Sequence, residues 1–313
     1  MDCNVPDSPV QDVGLTSIQQ QQRQAEGLAD HLAYWRQQLG GAPLTLDLPT
    51  DRPRSPIQSL VRAQHSFVLP EALSTALKTL SRQEGVTFFT TLLAAWQLLL
   101  HRYSGQDDLL VGTPRRADTP TREEWVNLFV LRARMIGNPT FRELLGRLRQ
   151  VVMEAEVHQL PFEQVVQALQ PEPNPNQHPL FQVMFALEQI PPEGGELTPS
   201  SRYMKVDNGI TKVDLTLLLQ DGRQELRGWV EYNADLFEAA TITRLAIHFQ
   251  SLLETIVATP DERLSRLSLL ATAEQHQLLV EWNATQRDYS TEQCLHHLVE
   301  AQVERPPDAI AAV

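Results

Sequence analysis

Residues 87–103, TFFTTLLAAWQLLLHRY, restrict the possible folds of this chain more than any other stretch of it. The segment predicts one helix, and because apolar side chains cover it nearly all the way round, it must be buried on most sides. Thr90, Thr91 and Gln97 interrupt the apolar run, which is also too short to span a bilayer. The sequence therefore predicts a fold in which other elements surround a central helix.

The segments around this helix alternate between strand and helix patterns. Strands are predicted at AQHSFVLP, LLVGTP, NLFVLRAR and LFQVMFALE, followed by a hairpin with Asp221 and Gly222 in its turn. Amphipathic helices are predicted at LADHLAYWRQQLGG, from Pro70, after the capping-box sequence TFRE, at PFEQVVQAL and over residues 242–256. LPTDRPRSP predicts an extended, non-helical strap, because its prolines exclude a helix. The expected fold class is α/β, an α+β arrangement around a mixed sheet.

The acidic balance of the sequence excludes two classes of partner. Asp and Glu total 39 against 26 Lys and Arg, which gives a formal net charge of −13. Such a chain repels nucleic-acid phosphates and anionic membrane surfaces, so neither is an expected partner. The first residues, MDCNVPDSPVQDVG, lack the apolar core of a secretory signal. Because Cys3 and Cys294 lie near opposite ends, no disulfide framework is expected, and the sequence predicts a cytoplasmic protein.

The adjacent histidines of CLHHLVEAQ are the first candidates for catalysis, since such a pair followed by an acid suits acyl-transfer chemistry. At about 3.6 residues per turn, however, His296 and His297 point away from the apolar stripe of Leu295, Leu298 and Val299. An exposed helix face is therefore their expected setting. The sequence contains no P-loop, Rossmann glycine fingerprint, nucleophile elbow or metal-ligand cluster, so no catalytic or metal-ligating residue is assigned.

Eight phrases of the sequence resemble the condensation domains of nonribosomal peptide synthetases. In the family's order they are YWRQQLGGAPLTLDLPTDRPR, LLHRYSGQDDLLVGTP, VNLFVLR, HQLPFEQVVQALQPE, HPLFQVMF, TKVDLTLLLQD, YNADLFEAATI and EWNATQRDY. The final CLHHLVEAQVERPPDAIAAV resembles the opening of an adenylation domain. The resemblance implies an irregular segment over residues 1–27, the C-terminal lobe of a condensation domain over 28–262, a linker over 263–290 and the truncated start of an adenylation domain over 291–313.

For the fold, this resemblance implies one lobe of a chloramphenicol-acetyltransferase-like architecture, that of the CoA-dependent acyltransferases. In the family two carrier-bound thioesters meet between two lobes, and the acceptor amine attacks the donor thioester to give an amide. The implied partners are peptidyl carrier proteins, neighbouring synthetase domains and a separately encoded N-terminal lobe. No cofactor is expected to bind directly, because the phosphopantetheine arms belong to the carriers. Matching positions imply these substrate-tunnel residues: Thr113, Pro114, Val126, Asn127, His158 and Asp214.

The family's catalytic motif, His-His-x-x-x-Asp-Gly, does not occur in this sequence. After His296 and His297 the positions of its Asp and Gly hold Ala301 and Gln302. Within the lobe, Leu128 stands where Thr is usual, and HQLPFE lacks the Asp of the family's His-Gln-Asp-x-Pro-Phe-Glu. We therefore expect a partial condensation domain that is inactive alone. Two alternatives are a non-catalytic module that docks a carrier protein or a separate first lobe, and a free-standing acyltransferase that uses coenzyme A, which would lack the same motif.

Overall fold

The fold is seen in a computed structural model with seven described stretches, residues 27–54, 61–114, 128–172, 177–189, 213–222, 225–286 and 294–304. Contacts divide the chain into two units, Met1–Leu270 and Ala271–Val313. The sheet and six of the described helices belong to the first unit. The boundaries predicted at residues 28, 263 and 291 stay predictions.

A six-stranded mixed sheet lies at the centre of the first unit. Its strands are β1 (Arg62–Leu69), β2 (Asp108–Pro114), β3 (Leu128–Arg134), β4 (Val183–Gln189), β5 (Leu215–Asp221) and β6 (Leu226–Asn233). They are ordered β1-β6-β5-β4-β2-β3, and β4 runs parallel to both of its neighbours, β5 and β2. The other pairs are antiparallel, among them the predicted β5–β6 hairpin. The expected α/β class with a mixed sheet is confirmed.

The helices follow the predicted segments closely. Those of the first unit are α1 (residues 27–39), α2 (Glu71–Gln83), α3 (Phe88–Ser104), α4 (Phe141–Val157), α5 (Phe162–Leu169) and α6 (Ala239–Ala258). The second unit contains α7 (Thr272–His276), a π turn (Gln277–Glu281) and α8 (Leu295–Glu304). None of the helices in the described stretches is both long and apolar enough to cross a membrane.

Helix α3 is the central helix that the sequence predicts. Every residue from Thr90 to Leu100 is buried, which confirms that the helix is buried on most sides. Its polar Gln97 makes one hydrogen bond, from Nε2 to the carbonyl of Leu131 at 3.1 Å, while its buried Oε1 has no partner among the described residues. The indole of Trp96 meets the Phe249 ring of α6 edge to face, with centroids 5.8 Å apart. The core therefore forms around α3, between the sheet and the neighbouring helices.

The predicted capping box begins α4. The Thr140 side chain accepts from the Glu143 backbone N–H at 3.2 Å, and the Glu143 carboxylate accepts from the Thr140 N–H at 2.8 Å. Each residue thus satisfies a backbone donor that the helix itself leaves unpaired. This local signal fixed the start of α4 correctly.

Two details of the predicted elements are wrong. Strand β4 begins at Val183 and not at Leu180. Two residues of the apolar stripe assigned to α8 are not buried, since Leu298 is 38% and Val299 57% exposed. The amphipathic pattern predicted the helix correctly and its burial incorrectly. His296 and His297 are exposed, as expected.

Candidate functional site

A strap of residues 44–54 crosses the edge of the sheet at which β4 and β5 begin. Gln182 holds its beginning, because Oε1 accepts from the Leu46 N–H at 2.8 Å and Nε2 donates to the Leu44 carbonyl at 2.9 Å. Arg54 donates through both terminal nitrogens to the carboxylate of Asp214, with Nη1 and Oδ1 2.9 Å apart. Asp214 is only 5% exposed, so this two-pronged pair neutralises a buried charge. The predicted tunnel residue Asp214 thus anchors the strap.

A second anchor joins the strap to the start of α6. The carboxylate of Asp51 accepts from the Glu238 backbone N–H at 2.8 Å and from the Thr241 hydroxyl at 2.8 Å. The pKa of Asp51 is lowered, chiefly because the hydrogen bond from the Glu238 N–H stabilises the ionised carboxylate. The strap is thus held at its beginning by Gln182 and near its end by Asp51 and Arg54, and it is non-helical, as its prolines predict.

Two further predicted tunnel residues lie at the last positions of β2. Thr113 is 4% exposed and pairs with Phe129 of β3, while Pro114 is half-buried and pairs with Leu128. Val126 and Asn127 lie outside the described residues. The resemblance therefore marks the end of β2 beside the beginning of β3.

The neighbouring Gly112 allows an aromatic ring to lie directly on β2. A Cβ atom added at Gly112 would come within 2.3 Å of the Phe181 ring. Phe181 also contacts the His178 ring at 3.9 Å and the Phe162 ring at 6.0 Å, measured between centroids. Helix α5 begins at Phe162, so this aromatic cluster fixes α5 against the strand end that carries Thr113.

The ends of β2 and β5 that carry predicted residues are separate. Met184 of β4 pairs with Gly112 on one side and with Thr216 on the other. By this register Thr113 and Asp214 lie three residue rows apart along the sheet and two strands apart across it. The separation is about 10 Å in each direction. Their side chains therefore do not form one catalytic group.

His158 lies at the carboxyl end of α4, where it joins that helix to α1. Its ring stacks on Tyr34 with centroids 4.2 Å apart, and its Nδ1 lies 3.1 Å from Nδ1 of His31. Its carbonyl accepts from the Trp35 indole N–H at 2.6 Å. Burial raises the pKa of the Tyr34 hydroxyl, which keeps that group neutral. These contacts hold the α1–α4 corner together, and none of them reaches another predicted tunnel residue of the described stretches.

The sheet buries one of its faces under helices. Ring centroids of Phe185 in β4 and Phe89 in α3 lie 5.4 Å apart, and those of Phe67 in β1 and Phe249 in α6 lie 6.5 Å apart. Side chains that alternate with Phe185 and Phe67 therefore project from the opposite face, here called the second face. On β1, β4, β5 and β6 it comprises Arg62, Gln64, Ser66, Val68, Met184, Ala186, Glu188, Thr216, Leu218, Gln220, Arg227, Trp229, Glu231 and Asn233.

An apolar strip runs across the second face between two rows that are mostly polar. Ala186, Leu218 and Trp229 pair across β4, β5 and β6 and form a small buried cluster separate from the main core. The flanking rows are Glu188, Gln220, Arg227 and Val68 on one side and Met184, Thr216, Glu231 and Gln64 on the other.

Two polar residues of the second face are buried. Gln220 and Glu231 are each 7% exposed. The Gln220 Nε2 donates weakly to Glu188 at 3.4 Å, while Oε1 is buried without a hydrogen-bond partner among the described residues. An unpaired buried acceptor costs about 1–3 kcal/mol, so a ligand N–H that reached Gln220 would recover part of that cost.

The hairpin sequence contains a signal for the second face that the predicted pattern overlooked. Alternation assigned Leu215, Leu217 and Leu219 to the core. The intervening positions, which project from the other face, also include apolar side chains, Leu218 and Trp229. A hairpin with apolar residues at both alternating sets of positions is buried on both faces.

Burial raises the pKa of Glu231 above its ordinary value, and the charge of Arg62 opposes that rise. The folded protein therefore keeps this proton at pH values at which the unfolded chain has lost it. The free energy of unfolding falls as pH rises from the ordinary glutamate pKa to the raised pKa of the folded state. We expect Glu231→Gln to raise the melting temperature near neutral pH. It should have little effect below the ordinary glutamate pKa of about 4.3. Thermal unfolding across pH measures the difference. Glu254→Gln, on the exposed side of α6, is the control, and an equal pH slope in both variants would contradict this prediction.

Potential metal ligands meet at one place within the described stretches. Cys294, His296 and His297 of the second unit bring one ligand atom each within 4.8 Å of the others. The sequence predicted no metal ligand here, because this spacing matches none of the familiar metal-binding motifs.

Comparison with known proteins identifies one family along most of the chain. The condensation-domain family model matches residues 4–279. One protein of the linear gramicidin synthase of Brevibacillus parabrevis is 43% identical over 316 residues, which cover 97% of this chain and 4% of that protein. A chondramide synthase of Chondromyces crocatus is 39% identical over 317 residues, which cover 97% of this chain and 8% of that protein. The chain thus spans a small fraction of these curated relatives.

A solved structure shares the fold. A four-domain nonribosomal peptide synthetase bound to AMP and glycine superposes with a TM-score of 0.73 at 20% identity, over 89% of this chain and 23% of that one. At this identity the likeness concerns the fold alone. It supports the expectation of one lobe of a chloramphenicol-acetyltransferase-like architecture.

Proposed function

The chain belongs to the condensation-domain family of nonribosomal peptide synthetases, and on that premise we propose that it is the C-terminal lobe of a condensation domain. The lobe forms one wall of the passage in which an acceptor amine and a donor thioester meet. It works with a first lobe that carries the His-His-x-x-x-Asp-Gly motif. On its own it forms no amide.

The proposed reaction defines what each lobe supplies. The amine nitrogen attacks the thioester carbonyl, a tetrahedral intermediate forms, and the C–S bond breaks to release the carrier's thiolate as the amide forms. The amine must lose a proton, a task suited to a near-neutral imidazole. No such motif occurs in this sequence, and His296 and His297 lack the accompanying Asp and Gly. This lobe therefore contributes binding and orientation.

The second face of the sheet is the observation that carries the proposal. Gln220 has a buried acceptor without a hydrogen-bond partner among the described residues, which can take an amide N–H. The strip of Ala186, Leu218 and Trp229 is 5–7% exposed and forms the apolar packing beside that acceptor. A phosphopantetheine arm combines apolar segments with amides, so its chemistry complements this surface. The arms belong to peptidyl carrier proteins, which are the proposed partners together with neighbouring synthetase domains.

The finer assignments complete the proposal. Thr113, Pro114, Val126, Asn127, His158 and Asp214 line or support the passage, by resemblance to the family. Residues 263–290 act as a linker, and 291–313 begin an adenylation domain. The protein works in the cytoplasm, where loaded carriers are available.

Amide formation by reconstituted lobes tests the proposal. The purified chain is mixed with two loaded carriers, with or without a separately expressed first lobe from a condensation domain, and the product is measured by mass spectrometry. We expect amide only when both lobes are present, and none from either lobe alone. Product from this chain alone would contradict the proposal, as would no product when sedimentation shows the two lobes in complex. Carrier binding without turnover in that complex would instead favour the non-catalytic docking module.

Shortening Trp229 should slow the reconstituted reaction. Trp229→Ala removes the largest side chain of the apolar strip, and loss of positioning by about 1 Å can cost on the order of 100-fold in rate. We expect at least a tenfold loss, with Trp229→Phe in between. Trp282→Ala, which changes a 66% exposed residue of the second unit, is the matched control. Equal rates for Trp229→Ala and Trp282→Ala would show that the second face does not line the passage.

A further inference from the structure

The beginning of α8 brings together three side chains of types that bind zinc. Cys294 precedes the helix, and His296 and His297 belong to its first turn. One ligand atom of each residue, the Cys sulfur and a ring nitrogen of each imidazole, lies within 4.8 Å of the other two. All three residues are exposed, so an ion can reach them from solvent.

Helix geometry explains why these side chains meet. The Cys294 carbonyl accepts from the His297 N–H at 2.9 Å, which gives Cys294 the position that precedes the first helical residue. A side chain at this position leans towards the second and third residues of the helix, which here are His296 and His297. The two imidazole centroids lie 4.1 Å apart. The cluster is therefore a consequence of where α8 begins.

We propose that Cys294, His296 and His297 bind one zinc ion. Zinc forms bonds of about 2.3 Å to cysteine sulfur and about 2.0 Å to histidine nitrogen. A tetrahedral arrangement of such bonds needs ligand atoms roughly 3.5 Å apart. The ligand atoms lie within 4.8 Å of one another. Side-chain rotation can bring them to the required spacing, because no packing restrains exposed side chains.

The ligand types select the ion. One thiolate and two imidazoles favour zinc over magnesium or calcium, which prefer oxygen ligands. Three protein ligands leave the fourth position to water. The bound ion would join the residue before α8 to its first turn. An isolated helix of ten residues is marginal in water, so this connection should increase the helical content of the segment.

Cobalt titration of the full 313-residue chain tests the site, because cobalt replaces zinc and reports on its ligands by absorption. We expect saturation at one ion per chain, with a thiolate-to-cobalt charge-transfer band and the ligand-field bands of a tetrahedral site. Stoichiometric zinc should then displace the cobalt and bleach both bands. Circular dichroism should show a gain in helix on zinc addition.

Single replacements separate this site from incidental binding. Cys294→Ser should abolish the charge-transfer band, and His296→Ala or His297→Ala should each weaken cobalt binding at least about tenfold. Cys3→Ser replaces the other cysteine of the sequence and should change nothing. The charge-transfer band surviving in Cys294→Ser, or disappearing in Cys3→Ser, would overturn the proposal. So would unsaturable binding by the unmodified chain.

Discussion

Replacing Arg54 by alanine is expected to lower the free energy of unfolding by about 3 kcal/mol. The change leaves the Asp214 carboxylate, whose side chain is 6% exposed, without its guanidinium partner. An uncompensated buried charge costs about 3–5 kcal/mol, and the low end applies because the Arg54 side chain is 30% exposed. The strap should also detach at this end, which would raise amide hydrogen exchange at its described residues.

The same strap offers a matched control. Arg52 pairs with Glu238, but the two side chains are 49% and 57% exposed. Arg52→Ala should therefore cost no more than about 1 kcal/mol. Urea unfolding at neutral pH compares the two variants. Equal losses would show that burial of Asp214 does not determine the strength of the strap's attachment.

Adding one methyl group at Gly112 is expected to destabilise the fold by about 2–3 kcal/mol. The new carbon would lie 2.3 Å from the Phe181 ring, well inside van der Waals contact. The ring cannot move freely, because the His178 ring lies 3.9 Å away between centroids. Gly112→Ala should therefore displace Phe181 and loosen α5.

A glycine of α4 provides the opposite expectation. Gly146 is exposed, and a Cβ there would meet nothing within 4 Å. Gly146→Ala should therefore stabilise the protein by about 0.5–1 kcal/mol, since alanine is the better helix former. Denaturant midpoints distinguish the two variants. A Gly112→Ala protein as stable as the unmodified chain would show that Phe181 does not lie on β2.

Elements with local signals were predictable from the sequence. Helix α3 follows from a continuous apolar run, the start of α4 from the Thr140–Glu143 capping box, and the β5–β6 hairpin from alternation around Asp221. In each case the cause lies within a few residues of the effect. The resemblance to condensation domains added the family, which periodicity alone does not identify.

Features that depend on distant residues were not predictable in this way. Arg54 and Asp214 are separated by 160 positions, and no local pattern reveals that the strap ends at the start of β5. The strand order, with β4 parallel to β2 and β5, depends on crossovers in the same way. The resemblance to condensation domains identified candidate-site residues at the end of β2 and just before β5. The strip around Trp229 required the register of three strands.

Single-turnover amide formation, with histidines replaced in one lobe at a time, most directly tests whether this chain orients substrates without supplying the base. The complete assay contains this chain, an added first lobe and two loaded carriers. Replacing the second histidine of the added lobe's motif by alanine should slow amide formation at least about 100-fold. Replacing both His296 and His297 in this chain should leave the rate unchanged. The opposite pattern, with the rate lost in the His296 and His297 variant and kept in the other, would contradict the assignment of chemistry to the first lobe.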